Sequence, residues 1–150
     1  MQLLGKSGLE SAYQLDTVKG SHLVLNRKCH QAYLLEVPED KRVFFVLPWK
    51  ELTLLGTTEI RHKIDDPVVC SDAEQDYLLR AYNHYYRQAA TQIDVLERFS
   101  GLRPLLYSSQ KPNKASREYV IQRNKQLINV FGGKWTTALA LAKKVKVNLN

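Results

Sequence analysis

The first third of the chain alternates short apolar runs with turn residues, at intervals too small to leave room for helices between them. Each run holds four to six residues rich in apolar, β-branched or aromatic side chains, which is typical of strands. The runs cover residues 13–18, 22–25, 32–37, 42–47 and 52–55. Because a parallel crossover needs about a dozen or more residues, this spacing predicts antiparallel strands joined by hairpins.

A helical period follows the break at Asp65-Asp66-Pro67. Ser71 and Glu74 have the spacing of a capping box, which predicts a helix over about residues 72–88. Its apolar positions recur at spacings of three and four and form one face to be buried, namely Tyr77, Leu78, Ala81, Tyr82 and Tyr85. We interpret the tyrosines as core residues rather than as an RNA-stacking platform, because helical periodicity accounts for their positions.

The last third returns to strand patterns and ends in a second helical run. Strands are predicted at residues 93–99, 119–122 and 127–131, a polar turn at Arg123-Asn124-Lys125, a loop at 108–116 and a helix at about 136–147. The whole pattern predicts an α+β fold, a mostly antiparallel sheet of about six to eight strands with two helices. Residues 1–12 are expected to be a lead-in segment, and residues 13–150 one domain ending in strand, turn and helix over 127–147.

The turn inside 127–147 is the first candidate for chemistry. Gly132 and Gly133 can take positive φ and let the backbone approach a ligand, and Lys134 adds a positive charge. Thr136 or Thr137 is predicted to cap the following helix, whose free N–H groups would face the same place. This arrangement suits an anion or an electron-rich ring. It is not a phosphate-binding P-loop, because the Gly-x4-Gly-Lys-Ser/Thr spacing is missing, and a turn that only joins strand to helix remains an equal alternative.

Composition and charge narrow the classes of partner. The 150 residues are 44% hydrophobic, enough for one domain with a sizeable core. The 22 basic and 15 acidic residues give a net charge of +7, which favours anionic partners such as phosphorylated metabolites, nucleotides or nucleic acid. Because the basic residues are spread along the chain, with only Lys143, Lys144 and Lys146 grouped, a solvated surface accounts for them better than a binding stripe.

Cysteine use and hydropathy indicate the compartment. Cys29 and Cys70 lie far apart, with no metal-ligand spacing around them, so neither a disulfide framework nor a metal site is predicted. A reducing, cytoplasmic compartment fits this usage. The sequence has no signal-peptide pattern and no apolar run that approaches about 18 residues, so no membrane span is predicted.

Polar groups that follow predicted strands form a second candidate site. They are His22, Thr57, Arg103 and Arg117. If one sheet brought them near Lys134, the guanidinium groups, ammonium, hydroxyl and imidazole would suit a phosphorylated, hydroxylated small molecule. Each also has an ordinary interpretation, as a surface histidine, as strand composition or as a surface charge. No Ser-His-Asp or Cys-His constellation is evident.

Five motifs, in order, carry a family resemblance. They are Gly20-Ser21-His22, Leu55-Gly56-Thr57-Thr58-Glu59, Ser100-Gly101-Leu102-Arg103-Pro104-Leu105, Ser116-Arg117-Glu118-Tyr119 and Val130-Phe131-Gly132-Gly133-Lys134-Trp135-Thr136-Thr137. In order and approximate spacing the chain resembles the FAD-dependent glycerol-3-phosphate dehydrogenases, which belong to the larger group that includes D-amino-acid oxidase. The resemblance covers residues 13–145.

The resemblance implies an oxidoreductase with FAD as its cofactor. Such an enzyme passes a hydride from C2 of sn-glycerol 3-phosphate to flavin, yields dihydroxyacetone phosphate and passes electrons to quinone. It implies that His22 lies near flavin and substrate, Thr57 lines the substrate pocket, Arg103 contacts substrate beside the flavin, and Arg117 holds the phosphate. Further implications are a peripheral position at the cytoplasmic face of the inner membrane, a homodimer and no nucleic-acid partner.

The same resemblance assigns the glycine turn to the cofactor. It implies that the flavin ring and its side chain are embraced by Gly132, Gly133, Lys134 and Thr137. The backbone N–H groups and the lysine would stabilise negative charge on the reduced ring.

The chain also departs from the family pattern. It has no Gly-x-Gly-x-x-Gly turn for the FAD pyrophosphate, so we expect it to bind FAD weakly or not at all alone and not to turn over. Glu59 stands where the family usually has Asp, and Ala138-Leu139 replace more aromatic or basic residues. The alternatives are a related flavoprotein acting on another hydroxy acid or amine, and a basic nucleic-acid-binding module without catalysis.

Overall fold

The computed structural model describes residues 2–107 and 118–147. Its elements in chain order are α1 (Gln2–Lys6), β1 (Leu15–Leu25), β2 (Tyr33–Glu36), β3 (Val43–Trp49), β4 (Leu52–Gly56), β5 (Ile60–Arg61), α2 (Asp72–Tyr85), a 3-10 turn (Gln92–Asp94), β6 (Val95–Leu106), β7 (Tyr119–Asn124), β8 (Leu127–Gly132), a second 3-10 turn (Trp135–Thr137) and α3 (Ala138–Val147). The α+β class and the mostly antiparallel strand pairing are confirmed. No helix in the described part of the chain has the length and hydropathy that crossing a membrane requires.

The chain divides into two compact units. Unit 1 comprises residues 1–17 and 104–150, and unit 2 comprises residues 18–103. Unit 1 holds ten of the 22 basic residues but three of the 15 acidic ones, so the whole formal excess of +7 belongs to it. Unit 2 is balanced, with twelve residues of each sign.

A sheet with the order β2-β3-β4-β1-β5, and with β6 also paired to β1, organises unit 2. The pairs from β2 through β5 along this order are antiparallel. The register places His22 opposite Gly56, Gly56 opposite Phe45 and Phe45 opposite Leu34, so these four positions form one row across the sheet. Alternate residues point to the other face. Those residues form a core with one face of α2, whose members include Leu23, Leu25, Phe44, Val46, Leu55, Leu78, Ala81 and Tyr82.

The predicted helix in unit 2 begins as expected and ends early. Ser71 caps it, its hydroxyl accepts from the Glu74 amide at 3.3 Å, and the full capping box is present. The helix stops at Tyr85 instead of residue 88, because Tyr86 is extended and stacks on Tyr82 with ring centroids 4.1 Å apart. Tyr85 remains 44% exposed, so the buried face is narrower than its period predicts.

Two strands run through residues that the sequence pattern treats as breaks. Residues 13–18 and 22–25 were expected to be separate, yet β1 is continuous through Lys19 and Gly20. The strand predicted at 93–99 instead spans Val95–Leu106 through Gly101 and Pro104. Among the described strands β6 pairs with β1 alone, and an edge strand accommodates a proline that lacks an N–H donor. The short strand β5 was not predicted.

Unit 1 is built around the β7–β8 hairpin. Its tight turn lies one residue later than predicted: Asn124 pairs with Leu127, and Lys125 takes a φ of 57°. Phe131 is buried and contacts the Tyr13 ring, with centroids 5.8 Å apart. The leading segment, for which the sequence shows little pattern, contains α1 and the buried Leu4. The loop predicted at 108–116 lies outside the described residues.

Candidate active site

In unit 2, two of the candidate site residues, Thr57 and Arg103, lie against Gly20 on β1. A Cβ atom built at Gly20 would overlap Nη2 of Arg103 on β6 and Oγ1 of Thr57, which follows β4. The glycine therefore lies inside a strand because a guanidinium and a hydroxyl occupy the place of its side chain. The sequence prediction placed a turn here because this packing partner lies far along the chain.

Hydrogen bonds hold the Arg103 guanidinium in place. Its Nη2 donates to the Thr58 carbonyl oxygen at 3.0 Å, and its Nη1 lies 3.4 Å from Oε1 of Glu59. The hydroxyl of Thr57 donates to the same Thr58 carbonyl at 3.1 Å. The Arg103 side chain is 32% exposed. A guanidinium that is fixed and partly exposed can bind a substrate oxygen.

His22 lies on the same strand, two residues beyond Gly20. Its ring stacks on Phe99 with centroids 5.1 Å apart and an interplanar angle of 11°, and a Cβ at Gly56 would overlap it. Burial, and after it the positive charge of Arg103, lowers the pKa of His22 below 6.5. The imidazole is therefore neutral at neutral pH. Its Nδ1 is buried and has no hydrogen-bond partner among the described residues.

A buried carboxylate beneath Thr58 was missed by the sequence prediction. Glu74, assigned there to helix capping alone, is 2% exposed and forms an ion pair with Lys19 at 2.8 Å. Burial by itself raises the pKa of Glu74, but the bonds it accepts outweigh burial and lower the pKa to about 2. The donors are Lys19, Ser21, the Ser71 backbone and Thr58. A lysine on a strand usually indicates a solvated face, so Lys19 gave no sign of a buried ion pair. The capping box formed by Ser71 and Glu74 was the one sequence signal that involved this carboxylate.

In unit 1, the glycine turn has the backbone that was predicted. Gly132 and Gly133 take φ values of 76° and 98°, and Gly133 and Lys134 are exposed. A Cβ at Gly132 would lie 2.6 Å from the Glu118 carbonyl oxygen, so the hairpin itself requires this glycine. Two glycines without side chains, next to the exposed Lys134, also fit an anionic or electron-rich edge of a flavin.

The predicted threonine cap is wrong. The 3-10 turn Trp135–Thr137 precedes α3, and its N-cap residue is Lys134, without a side-chain cap bond. The hydroxyl of Thr137 donates to the Lys134 carbonyl at 3.2 Å instead of accepting from the helix. Thr137 is the last residue of this 3-10 turn and directly precedes α3, and its hydroxyl bond closes the turn locally.

The structure thus collects the predicted residues into two groups. Unit 2 brings together His22, Thr57 and Arg103, and unit 1 contains Gly132, Gly133, Lys134 and Thr137. Arg117 lies outside the described residues. Their roles toward substrate and cofactor stay predictions. Within residues 2–107 and 118–147, no three His, Cys, Asp or Glu side chains form a group that could hold a metal ion.

Comparison with known proteins identifies the family. Residues 2–146 match the family described as FAD dependent oxidoreductase. The chain is 37% identical over 145 residues to aerobic glycerol-3-phosphate dehydrogenase of Escherichia coli K12, covering 90% of this chain and 29% of that protein. It is 36% identical over 143 residues to D-erythritol 1-phosphate dehydrogenase of Brucella abortus, covering 89% of this chain and 28% of that protein.

A solved structure shows the same fold. Glycerol-3-phosphate dehydrogenase from Bacillus halodurans, complexed with FAD, aligns with 99% of this chain at a TM-score of 0.81 and 26% identity. The chain covers 29% of that protein and spans less than a third of the curated relatives named above. The family match over nearly all of its residues and the shared fold lead to one assignment. The chain belongs to the FAD-dependent oxidoreductases.

Proposed function

We propose that this chain is the substrate-binding part of an FAD-dependent glycerol-3-phosphate dehydrogenase, which oxidises sn-glycerol 3-phosphate to dihydroxyacetone phosphate. One observation carries the proposal. Arg103 and Thr57 converge on the place left by the missing side chain of Gly20, two residues before a neutral His22. A guanidinium, a hydroxyl and a proton acceptor are the groups that binding and oxidising an alcohol beside a phosphate requires.

Each group has a separate task in this reaction. Arg103 would hold a substrate oxygen and favour the negative charge that develops on it, because its guanidinium is already fixed by Thr58 and Glu59. His22 would take the proton of the C2 hydroxyl through Nε2, since Nδ1 is enclosed. FAD, when bound, supplies the two-electron acceptor. Lys134 and the backbone of Gly132 and Gly133 would hold the flavin edge.

The phosphate is assigned to a residue outside the described part of the chain. The family resemblance gives that role to Arg117, whose fork would bind two phosphate oxygens. In the FAD-containing enzyme, Arg117→Ala should therefore raise the Michaelis constant for a phosphorylated substrate sharply. An unchanged Michaelis constant would favour a flavoprotein that acts on another hydroxy acid or amine.

The activity is tested by placing this chain in a complete enzyme. It replaces the matching 145-residue segment of the Escherichia coli relative, and the chimera is purified with its flavin. Anaerobic sn-glycerol 3-phosphate should bleach the flavin absorbance, whereas glycerol should not. A matched Arg103→Ala chimera should keep its flavin and be reduced far more slowly. A chimera that retains flavin but is not reduced by sn-glycerol 3-phosphate contradicts the proposal.

A second substrate belongs in the same assay. The similarity to D-erythritol 1-phosphate dehydrogenase favours a longer polyol phosphate as the alternative. Reduction by D-erythritol 1-phosphate and not by sn-glycerol 3-phosphate would support that alternative.

The alternative of a basic nucleic-acid-binding module without catalysis predicts binding of DNA or RNA that weakens steeply with salt. Fluorescence anisotropy of a labelled oligonucleotide would detect such binding.

Family likeness alone supports the remaining proposals. They are quinone as the electron acceptor, a homodimer, and a cytoplasmic location with peripheral contact to the inner membrane. Quinone reduction by the chimera, sedimentation of the purified protein and its partition onto phospholipid vesicles test them in turn.

A further inference from the structure

The buried carboxylate of Glu74 is saturated with hydrogen-bond donors. Its Oε1 accepts from the hydroxyls of Ser21 and Thr58, each at 2.7 Å. Its Oε2 accepts from Lys19 at 2.8 Å and from the backbone N–H and hydroxyl of Ser71 at 3.0 and 2.8 Å. A carboxylate with this many partners is fixed in place as well as stabilised.

Thr58 receives three anchors from this network. Its hydroxyl donates to Glu74 and accepts from the Ser21 backbone N–H at 2.9 Å, and its own N–H donates to the Ser21 carbonyl at 3.3 Å. The residue is 2% exposed. The side chain of Thr58 therefore cannot shift without breaking bonds to both the helix and β1.

The anchored residue presents its carbonyl to the candidate site. That oxygen accepts from Arg103 at 3.0 Å and from the Thr57 hydroxyl at 3.1 Å. Two groups that would touch substrate thus share one acceptor. We propose that Thr58, fixed by the buried pair of Glu74 and Lys19, is the positioning residue that holds Arg103 and Thr57 in their active arrangement.

A positioning role for Thr58 in catalysis rests on the proposed function. The hydrogen bonds that join Thr58 to Arg103 and Thr57 are present whatever the substrate is. A purely structural role for the network would alter stability and leave the Arg103 guanidinium where it is. A positioning role would also alter the surroundings of His22, because Arg103 is the charged group that acts on it, from the same strand as the stacked Phe99. The two roles therefore differ in a local, measurable property.

The test uses the full 150-residue chain without FAD or substrate. Thr58→Val replaces the hydroxyl by a methyl group and keeps the side-chain volume, and Thr58→Ala removes both the hydroxyl and the γ-methyl group. The pKa of His22 is measured by NMR titration of the imidazole signals, and the rotation of the Arg103 guanidinium by its Nη signals. We expect the pKa of His22 to rise toward its ordinary value in both variants, and the guanidinium to rotate faster.

Two controls separate positioning from a general loss of packing. Thr58→Ser keeps the hydroxyl and should restore both signals to those of the unsubstituted chain. Ser100→Ala removes a hydroxyl that bonds to Ser21 at 2.7 Å, and so perturbs the same network without a bond to Thr58. It should leave His22 and Arg103 unchanged. Arg103→Gln sets the upper limit of the His22 change.

The outcomes are separable from those of the activity assay. If either folded variant, Thr58→Val or Thr58→Ala, retains the His22 pKa and the slow guanidinium rotation, Thr58 does not position Arg103 and the proposal is overturned. Equal changes in Ser100→Ala would overturn it too, since they would indicate general loosening. If the Thr58 variants behave as expected but the chimera is not reduced by sn-glycerol 3-phosphate, the positioning role of Thr58 stands and the proposed substrate is wrong.

Discussion

Replacing Glu74 by Gln tests how much the buried ion pair contributes to the stability of unit 2. A pKa of about 2 in place of 4.5 corresponds to about 3 kcal/mol, at about 1.36 kcal/mol for each tenfold change in proton affinity. Leaving the buried Lys19 ammonium without its opposite charge, with only its bond to the Val69 carbonyl kept, costs about 3 to 5 kcal/mol in comparable cases. Both routes lead us to expect that Glu74→Gln lowers the free energy of unfolding by about 3 kcal/mol at pH 7.

The lowered pKa of Glu74 determines how its contribution to stability changes with pH. The pKa of Glu74 is lower in the folded state than in the unfolded state, so the unfolded chain takes up the proton first as the pH falls. The stabilisation is therefore complete above about pH 4.5 and is lost as the pH falls toward about 2. Glutamine does not titrate, so the difference between the two chains should shrink over the same range.

Urea unfolding, followed by tryptophan fluorescence at several pH values between 7 and 2.5, measures this difference. Glu97→Gln provides the control, because Glu97 is an exposed carboxylate on β6 and such a substitution usually changes stability by less than about 0.5 kcal/mol. A loss below about 1 kcal/mol at pH 7, or one that stays constant down to pH 2.5, would refute the account of the Glu74 network.

Three further predictions concern glycines and the cofactor. Gly20→Ala places a methyl group where the Arg103 guanidinium lies, so kcat/KM of the FAD-containing chimera for sn-glycerol 3-phosphate should fall about a hundredfold in the flavin-reduction assay. Gly132→Ala places a side chain at a φ of 76° and against the Glu118 carbonyl. It should lower the free energy of unfolding, measured by thermal unfolding, by about 2 kcal/mol or more. The control Gly5→Ala has open space around the new methyl group and should not lower it. The purified chain, mixed with FAD and desalted, should retain less than stoichiometric flavin absorbance; full retention would contradict our expectation for the chain alone.

Local signals predicted the parts of the fold that depend on neighbouring residues. Helix α2 follows from a capping box and a regular apolar period, both contained within a short window. The glycine turn follows from two adjacent residues that tolerate positive φ. Strands with hairpin partners were predicted for the same reason, since their pairing residues lie close in sequence.

The errors occur where a distant residue decides the local structure. Gly20 was interpreted as a break, but it stays within β1 because Arg103 fills the space beside it. Lys19 was interpreted as part of the same turn, although its charge is buried against Glu74. Residue type identified Thr57 and Arg103 as candidates, whereas nothing in the sequence singled out the carbonyl of Thr58 as their shared acceptor.

The division of charge between the two units has a consequence for the ionic conditions in which the protein is handled. The cations of unit 1 repel one another, and dissolved salt weakens that repulsion over a distance of about 10 Å at 0.1 M. Unit 2 has equal numbers of basic and acidic residues, so it has no excess of positive charge for salt to screen. Raising the ionic strength should therefore stabilise the folded form of unit 1 more than that of unit 2. In buffers of low ionic strength, the β7–β8 hairpin and α3 should unfold before the sheet of unit 2.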